Sequence, residues 1–271
     1  LTRVGVVLSS KGAYAEAQQL FERSLPLFEQ ALGPDQPEVA AAHTNLGNVL
    51  DSLGHYAEAH DHFEQGLAIS ERTLGAQHPS TATARANLGG ALMHHHEYAE
   101  ARANLESALA VWEAAYGPDH MKVAIAVNNL GDLHNLLGDH QGALAYCQRA
   151  LAIGRAKLPP DHPMQGYLLL SLADALLGLG RAGEALAPLE RALAIRQRAE
   201  DDPVDLADVQ LALARALWAS GGDRDRALTL AGAARVRYAA AGEREREREA
   251  LAEVDAWLAS HTRTIAAADR R

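Results

Sequence analysis

Apolar residues along this chain return at helical spacing. Val39, Ala42, Leu46, Val49, Leu50 and Leu53 fall three and four positions apart, which puts them on one face of a helix. Gly54 closes that stripe, as glycine commonly closes helices. A second stripe follows in Tyr56, Ala59, Phe63, Leu67 and Ser70, closed by Gly75 and Pro79. Proline there suits the first turn of the next helix. The pattern predicts a pair of helices, after which the unit begins again.

The unit repeats with a fixed step. Asn45-Leu46-Gly47 returns as Asn87-Leu88-Gly89 and Asn129-Leu130-Gly131, each 42 residues further on. The same step reaches Ser171-Leu172-Ala173 and, backwards, Arg3-Val4-Gly5. Tyr14, Tyr56 and Tyr98 are in phase, as are Ala17, Ala59, Ala101, Ala143, Ala185 and Ala227. Gly12, Gly54, Gly138 and Gly180 mark one break per repeat, with His96 in that slot in the third. Linkers such as Leu74-Gly75-Ala76-Gln77-His78-Pro79 and Leu158-Pro159-Pro160-Asp161-His162-Pro163 mark the other, and place Asp35, Asp119 and Asp161 where N-caps are useful. Gly47, Gly89, Gly131 and the in-phase alanines read as points of close helix approach. A regular period of this length is the mark of a stacked repeat array.

These residues resemble tetratricopeptide repeats, and the period, the Asp-His-Pro-like linkers and the Asn-Leu-Gly core resemble the kinesin light chain subtype. The resemblance implies an all-α fold: a right-handed α-solenoid of antiparallel helix pairs, with about six repeats and a C-terminal capping helix. Repeat boundaries are expected near 1–37, 38–79, 80–121, 122–163, 164–203 and 204–242, a capping helix over 243–260 and a flexible tail over 261–271. The match weakens at Ala199-Glu200-Asp201-Asp202-Pro203 and at Gly221-Gly222-Asp223, as expected near the capped end of a solenoid. The run Glu243-Arg244-Glu245-Arg246-Glu247-Arg248-Glu249 reads as a solvated helix start, and Leu251, Val254, Trp257 and Leu258 as the stripe that seals the last repeat. Leu1 falls inside a first helix, so a truncated start is expected.

Composition narrows the partners. Of 271 residues, 48% are hydrophobic, enough for a core. Lys plus Arg is 25 against 35 Asp plus Glu, a net charge of −10 that repels phosphate backbones, so no nucleic-acid partner is expected. The longest apolar stretch, Leu168 to Leu179, contains Asp174 and is too short for a bilayer, so no membrane partner is expected either and the location is read as cytoplasmic. Cys147 stands alone, which excludes a disulfide framework; it takes the slot of Phe21, Phe63 and Leu105 and reads as a small buried hydrophobe.

In tetratricopeptide proteins one face of each repeat's first helix lines the inner groove and holds extended peptides. Carried onto this chain, that face holds Asn45, Asn48 and Asp51; Asn87, Met93 and His94; Asn128, Asn129, Asp132 and Asn135; Tyr167, Ser171 and Asp174; and Arg215. An amide both donates and accepts, so Asn45, Asn87 and Asn129 suit a ladder that pairs with a peptide backbone. The alternative is that these amides only bond neighbouring helices. Arg3 and Arg215 lie at opposite ends, and carboxylates and amides fill the middle, so a neutral or basic segment is favoured over an acidic tail.

Other chemistry is sparse. His94-His95-His96 reads as a solvated turn: adjacent histidines do not share a helix face, and no nearby Cys or carboxylate set completes a metal site. His78, His120 and His162 read as structural linker residues, and His55, His60 and His62 as scattered over a turn and a helix surface. No phosphate-binding glycine loop, nucleophile elbow or zinc-protease motif is present, so no enzyme, cofactor or metal is expected. The leading reading is a non-catalytic module binding a protein or peptide, with Tyr167, Met93 and Trp218 adding apolar contact. The competing reading is self-assembly through exposed repeat ends. The Ala-rich ending around Ala239-Ala240-Ala241 and Ala256-Trp257-Leu258 resembles the C-terminal regions of bacterial serine/threonine protein kinases with such repeats. It implies a regulatory or scaffolding part of a larger signalling protein, with a kinase or other signalling domain upstream.

Overall fold

The structure is a computed structural model and describes residues 1–198, 203–241 and 245–268. Among these there are thirteen helices and no strand. Most come in pairs: α1 (Thr2–Ser10) with α2 (Tyr14–Leu32), α3 (Pro37–Ser52) with α4 (Tyr56–Leu74), α5 (Pro79–His94) with α6 (Tyr98–Tyr116), α9 (Pro163–Gly178) with α10 (Ala182–Arg198), and α11 (Pro203–Ala219) with α12 (Arg224–Ala241); α7 (Met121–Leu136) and α8 (His140–Lys157) lie between the third and fourth of these in chain order. A last helix, α13 (Glu245–Ala268), follows. The fold is an all-α repeat solenoid. It divides into two compact units, Leu1–Leu133 and His134–Arg271.

In the first unit, from α1 to α6, each helix packs on the next through its apolar stripe. Helix α3 buries Val39, Ala42, Leu46, Val49 and Leu50, and α4 answers with Ala59, Phe63 and Ile69. The pairs close tightly because the odd-numbered helix offers a glycine to a bulky neighbour. A Cβ on Gly47 would lie 2.7 Å from the Phe63 ring, and one on Gly89 2.9 Å from Leu105. Gly5 stands in the same relation to Phe21.

The second unit repeats the scheme around Leu168, Leu189, Ile195 and Leu213, with Cys147 fully buried. Here α13 packs on α12 and buries Val254.

The helix starts differ from expectation. Proline does open α3, α5 and α9. The capping side chain, however, is histidine and not aspartate. His78 Nδ1 accepts from the Ser80 N–H at 3.1 Å, His120 from Lys122 at 3.2 Å, and His162 from Met164 at 3.1 Å. At α5 and α9 the histidine just before the proline is the N-cap, and its ring nitrogen reaches the backbone two positions on. The aspartates one place earlier point to arginines: Asp35 pairs with Arg72, and Asp161 with Arg191 and Arg198.

Two further expectations change at the C-terminal end. Helix α13 runs to Ala268 and does not stop at Ser260, so residues 261–268 are helical and not a tail. Within the charged run read as solvated, Glu247 is buried, because one side of α13 turns inward. The rest of the weakened linker (199–202), the break at 242–244 and the end of the expected tail (269–271) lie outside the described residues.

Candidate functional site

Burial on the odd-numbered helices isolates one stripe. In α3 the residues left over are Ala41, Asn45, Asn48 and Ser52, flanked by Thr44 and Asp51. In α5 they are Thr83, Asn87, Gly90 and His94. In α7 they begin Ile125, Asn129 and Asp132. The offsets from each helix start are the same, so these are equivalent positions in successive repeats. Asn45, Asn87 and Asn129 stand at the centre of each stripe and are half-buried. Among the described residues their side-chain amides have no hydrogen-bond partner.

The flanks of this face are tied down. His94 Nε2 lies 3.9 Å from Asp51 Oδ1, linking α5 to α3, and the His94 ring stacks on Tyr56 with centroids 4.9 Å apart. Met93 is half-buried beside it. Lys122 Nζ donates to Thr83 Oγ1 at 2.8 Å and sits over the Trp112 ring, and burial lowers its pKa below the usual lysine value. The Trp112 indole N–H donates to the Pro79 carbonyl at 3.2 Å.

Three of the expected residues are placed otherwise. Asn128 is fully buried, and its amide donates to Asp132 Oδ2 at 3.0 Å, so it orients that carboxylate and is not itself presented. In the second unit Ser171 is 3% exposed and is not presented either. Arg215 is ion-paired with Glu253 of α13 at 2.6 Å, while Trp218, three positions on, meets Trp257 and His261 edge to face. The sealing helix thus takes up the end of the face where Arg215 and Trp218 were expected to contact a ligand. Tyr167 and Asp174 remain exposed, and Asn135 accepts from His140 at 3.3 Å.

Tyr56, Thr83 and Lys122 belong to this neighbourhood and were not among the expected site residues. Tyr56 carried a signal, its phase with Tyr14 and Tyr98, but that phase marks packing as readily as a site.

The stacked pairs and their shared register are matched by a known family. The model of the tetratricopeptide repeat matches residues 1–72, 80–155 and 122–198. The chain belongs to the tetratricopeptide repeat family. Among curated proteins none matches it. Solved tetratricopeptide structures do. Nearly identical kinesin light chain TPR-like repeats from Podosopora anserina are 26% identical over 75% of this chain and 97% of that one, with a TM-score of 0.58. BtubC (BKLC) from P. vanneervenii is 23% identical over 72% of this chain and 77% of that one, with a TM-score of 0.59. The Rap conjugation gene regulator of the plasmid pLS20, in complex with the Phr* peptide, is 16% identical over 96% of this chain and 73% of that one, with a TM-score of 0.66. The tetratricopeptide repeats of this chain are thus similar to the kinesin light chain kind. No helix among the described residues is long and apolar enough to cross a membrane.

Proposed function

We propose that this chain is a non-catalytic interaction module whose first-helix face holds an extended peptide segment of a partner protein. The observation that carries the reading is the set of amides at Asn45, Asn87 and Asn129: equivalent in position, half-buried, and without a hydrogen-bond partner among the described residues. If these side chains served only to join helices, their donors and acceptors would be engaged with neighbouring helices. An amide left available on a half-buried face is suited to a backbone N–H and C=O of an incoming strand. The fold neighbour in complex with the Phr* peptide is consistent with a peptide as the class of ligand.

The ligand is a neutral or basic segment. Asp51 and Asp132 sit on the face, and the nearby Lys122 is drawn to Thr83 and Trp112. The whole chain carries a net charge of −10. Such a field attracts cationic segments and repels acidic ones. The module acts in the cytoplasm as the docking part of a larger signalling protein, a reading that rests on the Ala-rich C-terminal resemblance.

A peptide-display selection against the purified chain tests this, with an N45A/N87A/N129A variant as counter-screen. A shared motif that binds the parent chain and loses the variant is the expected result. Peptides that bind both equally would remove the site from this face, and enrichment of acidic peptides would overturn the charge preference.

A second reading has its own observation. Leu1, just before α1, and Val4, Val6 and Val7 within it are 47–56% exposed, an apolar surface suited to stacking against another copy. Light scattering across concentration separates the two: growth in mass without ligand favours assembly.

A further inference from the structure

In the second unit, residues at the end of α8, the start of α9 and the middle of α10 meet around a cavity of about 300 Å³. That is the small end of the range for sites that take small molecules. Leu158, Leu169 and Pro188 give it apolar walls, and Arg155, Gln165 and Arg191 bring polar groups to it. Gln165 is 4% exposed, yet its side-chain amide makes no hydrogen bond among the described residues. Buried amides are nearly always partnered. A local role does not account for this one. Gln165 is the third residue of α9, from which a glutamine can bond back to the N–H of the N-cap. That N–H, of His162, donates to the Pro159 carbonyl at 3.1 Å instead.

The two arginines are unequally engaged. Arg155, in the last turn of α8, has no partner among the described residues. Arg191 donates from Nη2 to the Pro160 carbonyl at 3.0 Å and to Asp161 Oδ1 at 2.5 Å, and its other N–H groups are left over. The equivalent cavity two repeats earlier, between α4, α5 and α6, closes its own charges. Glu71 holds the slot of Arg155, Arg85 that of Leu169, and Ala103 and Asn104 those of Ala187 and Pro188. Glu71 and Arg85 pair with each other there. In the later cavity an arginine stands in the glutamate slot and a leucine in the arginine slot, so no internal ion pair forms across them.

We propose that this cavity binds a small organic acid: one carboxylate carried on an apolar body. A guanidinium presents paired N–H donors that match the two oxygens of a carboxylate. Arg155 and the remaining edge of Arg191 supply the charge, and the Gln165 amide nitrogen adds a directed donor that a bound oxygen would satisfy. Asp161 already takes part of Arg191, which leaves charge for a monoanion and not for a phosphate dianion. The net charge of −10 over the whole chain acts in the same sense. The apolar walls receive the body of the acid. None of these residues belongs to the stripe on α3, α5 and α7, so the proposal stands independently of any peptide bound there.

Calorimetric titration of the full chain with isocaproate tests it, with saturation-transfer NMR as a second readout. Saturable one-to-one binding is expected. Isocaproamide, which keeps the body without the charge, and inorganic phosphate, which keeps charge without the body, should each bind at least tenfold more weakly. R155Q and Q165L should each weaken isocaproate at least tenfold with helicity retained by circular dichroism. R181Q is the control and should change nothing, because Arg181 pairs with the exposed Glu184 away from the cavity. Without ligand, Q165L should also melt higher than the parent chain, since it removes a buried amide that has no partner. A lower melting temperature would show that the amide is engaged within the fold and would overturn the proposal. So would no binding, equal binding of isocaproamide or phosphate, or binding that survives R155Q. Tighter binding of the blocked dipeptide acetyl-Glu-Leu-amide would overturn the free acid in favour of a partner's side chain.

Discussion

His96 holds a backbone conformation that other repeats give to glycine. Its φ is 60°, where Gly12, Gly54, Gly138, Gly180 and Gly221 have φ of 71–78° at the corresponding turns. A side chain there meets the carbonyl that follows it, at a cost of about 1 kcal/mol. Its compensation is an exposed hydrogen bond between the ring Nδ1 and the Tyr98 hydroxyl at 2.7 Å. His96→Gly should therefore raise stability by about 0.5–1 kcal/mol in urea unfolding; a fall would mean that the Tyr98 contact outweighs the strain. Gly47 is the opposite case. It is helical and unstrained, but a methyl group there would press on the buried Phe63 ring. Gly47→Ala should cost about 1–3 kcal/mol, as overpacking does, and an unchanged urea midpoint would show that the ring yields freely.

Between elements, the contact of α3 with α4 carries a buried titratable pair. His43 is 5% exposed and shares a hydrogen bond with His62 Nδ1, so one ring donates and the other accepts. Burial, and then the neighbouring His62, hold the His43 pKa down to about 4 from 6.5; burial lowers that of His62 as well. Asp61, Glu58 and Glu22 around His62 oppose that second shift without reversing it. The unfolded chain takes up a proton near pH 6.5 that the folded chain refuses until about pH 4. Stability is thus complete above pH 6.5 and falls between there and pH 4, by up to about 3 kcal/mol for His43. Urea midpoints measured at pH 7.5 and 5 should show this drop, and a H43L/H62L variant should flatten it. The elements also absorb two prolines that local preference would use as breaks: Pro26 lies inside α2 and Pro188 inside α10, and both helices continue. Packing along each helix overrides the one lost donor.

For the molecule as a whole, function follows from repetition. In the proposed reading, a stripe recurring in α3, α5 and α7 would offer a ligand the same group several times, so contacts that are weak singly would add along an extended peptide. Single Asn45→Ala, Asn87→Ala or Asn129→Ala changes should each weaken a selected peptide severalfold, while the triple change abolishes binding with the melting temperature kept. Equal loss from one change alone would mean a local pocket and not a ladder. The sequence by itself determined the helix pairs, the step of 42 residues, the faces they bury and the need for glycine at Gly47 and Gly89, because these follow from local spacing and from a repeat that packs on its own copy. Only the tertiary structure decided which polar groups are engaged. Asn128 and Asn129 are adjacent and identical in kind, yet one is buried against Asp132 and the other presented. Arg215 is taken by Glu253, and His95 meets His60. The partners of Arg215 and His95 lie far apart from them in sequence, and the position of each depends on how one helix rotates against the next, which residue type and spacing do not specify.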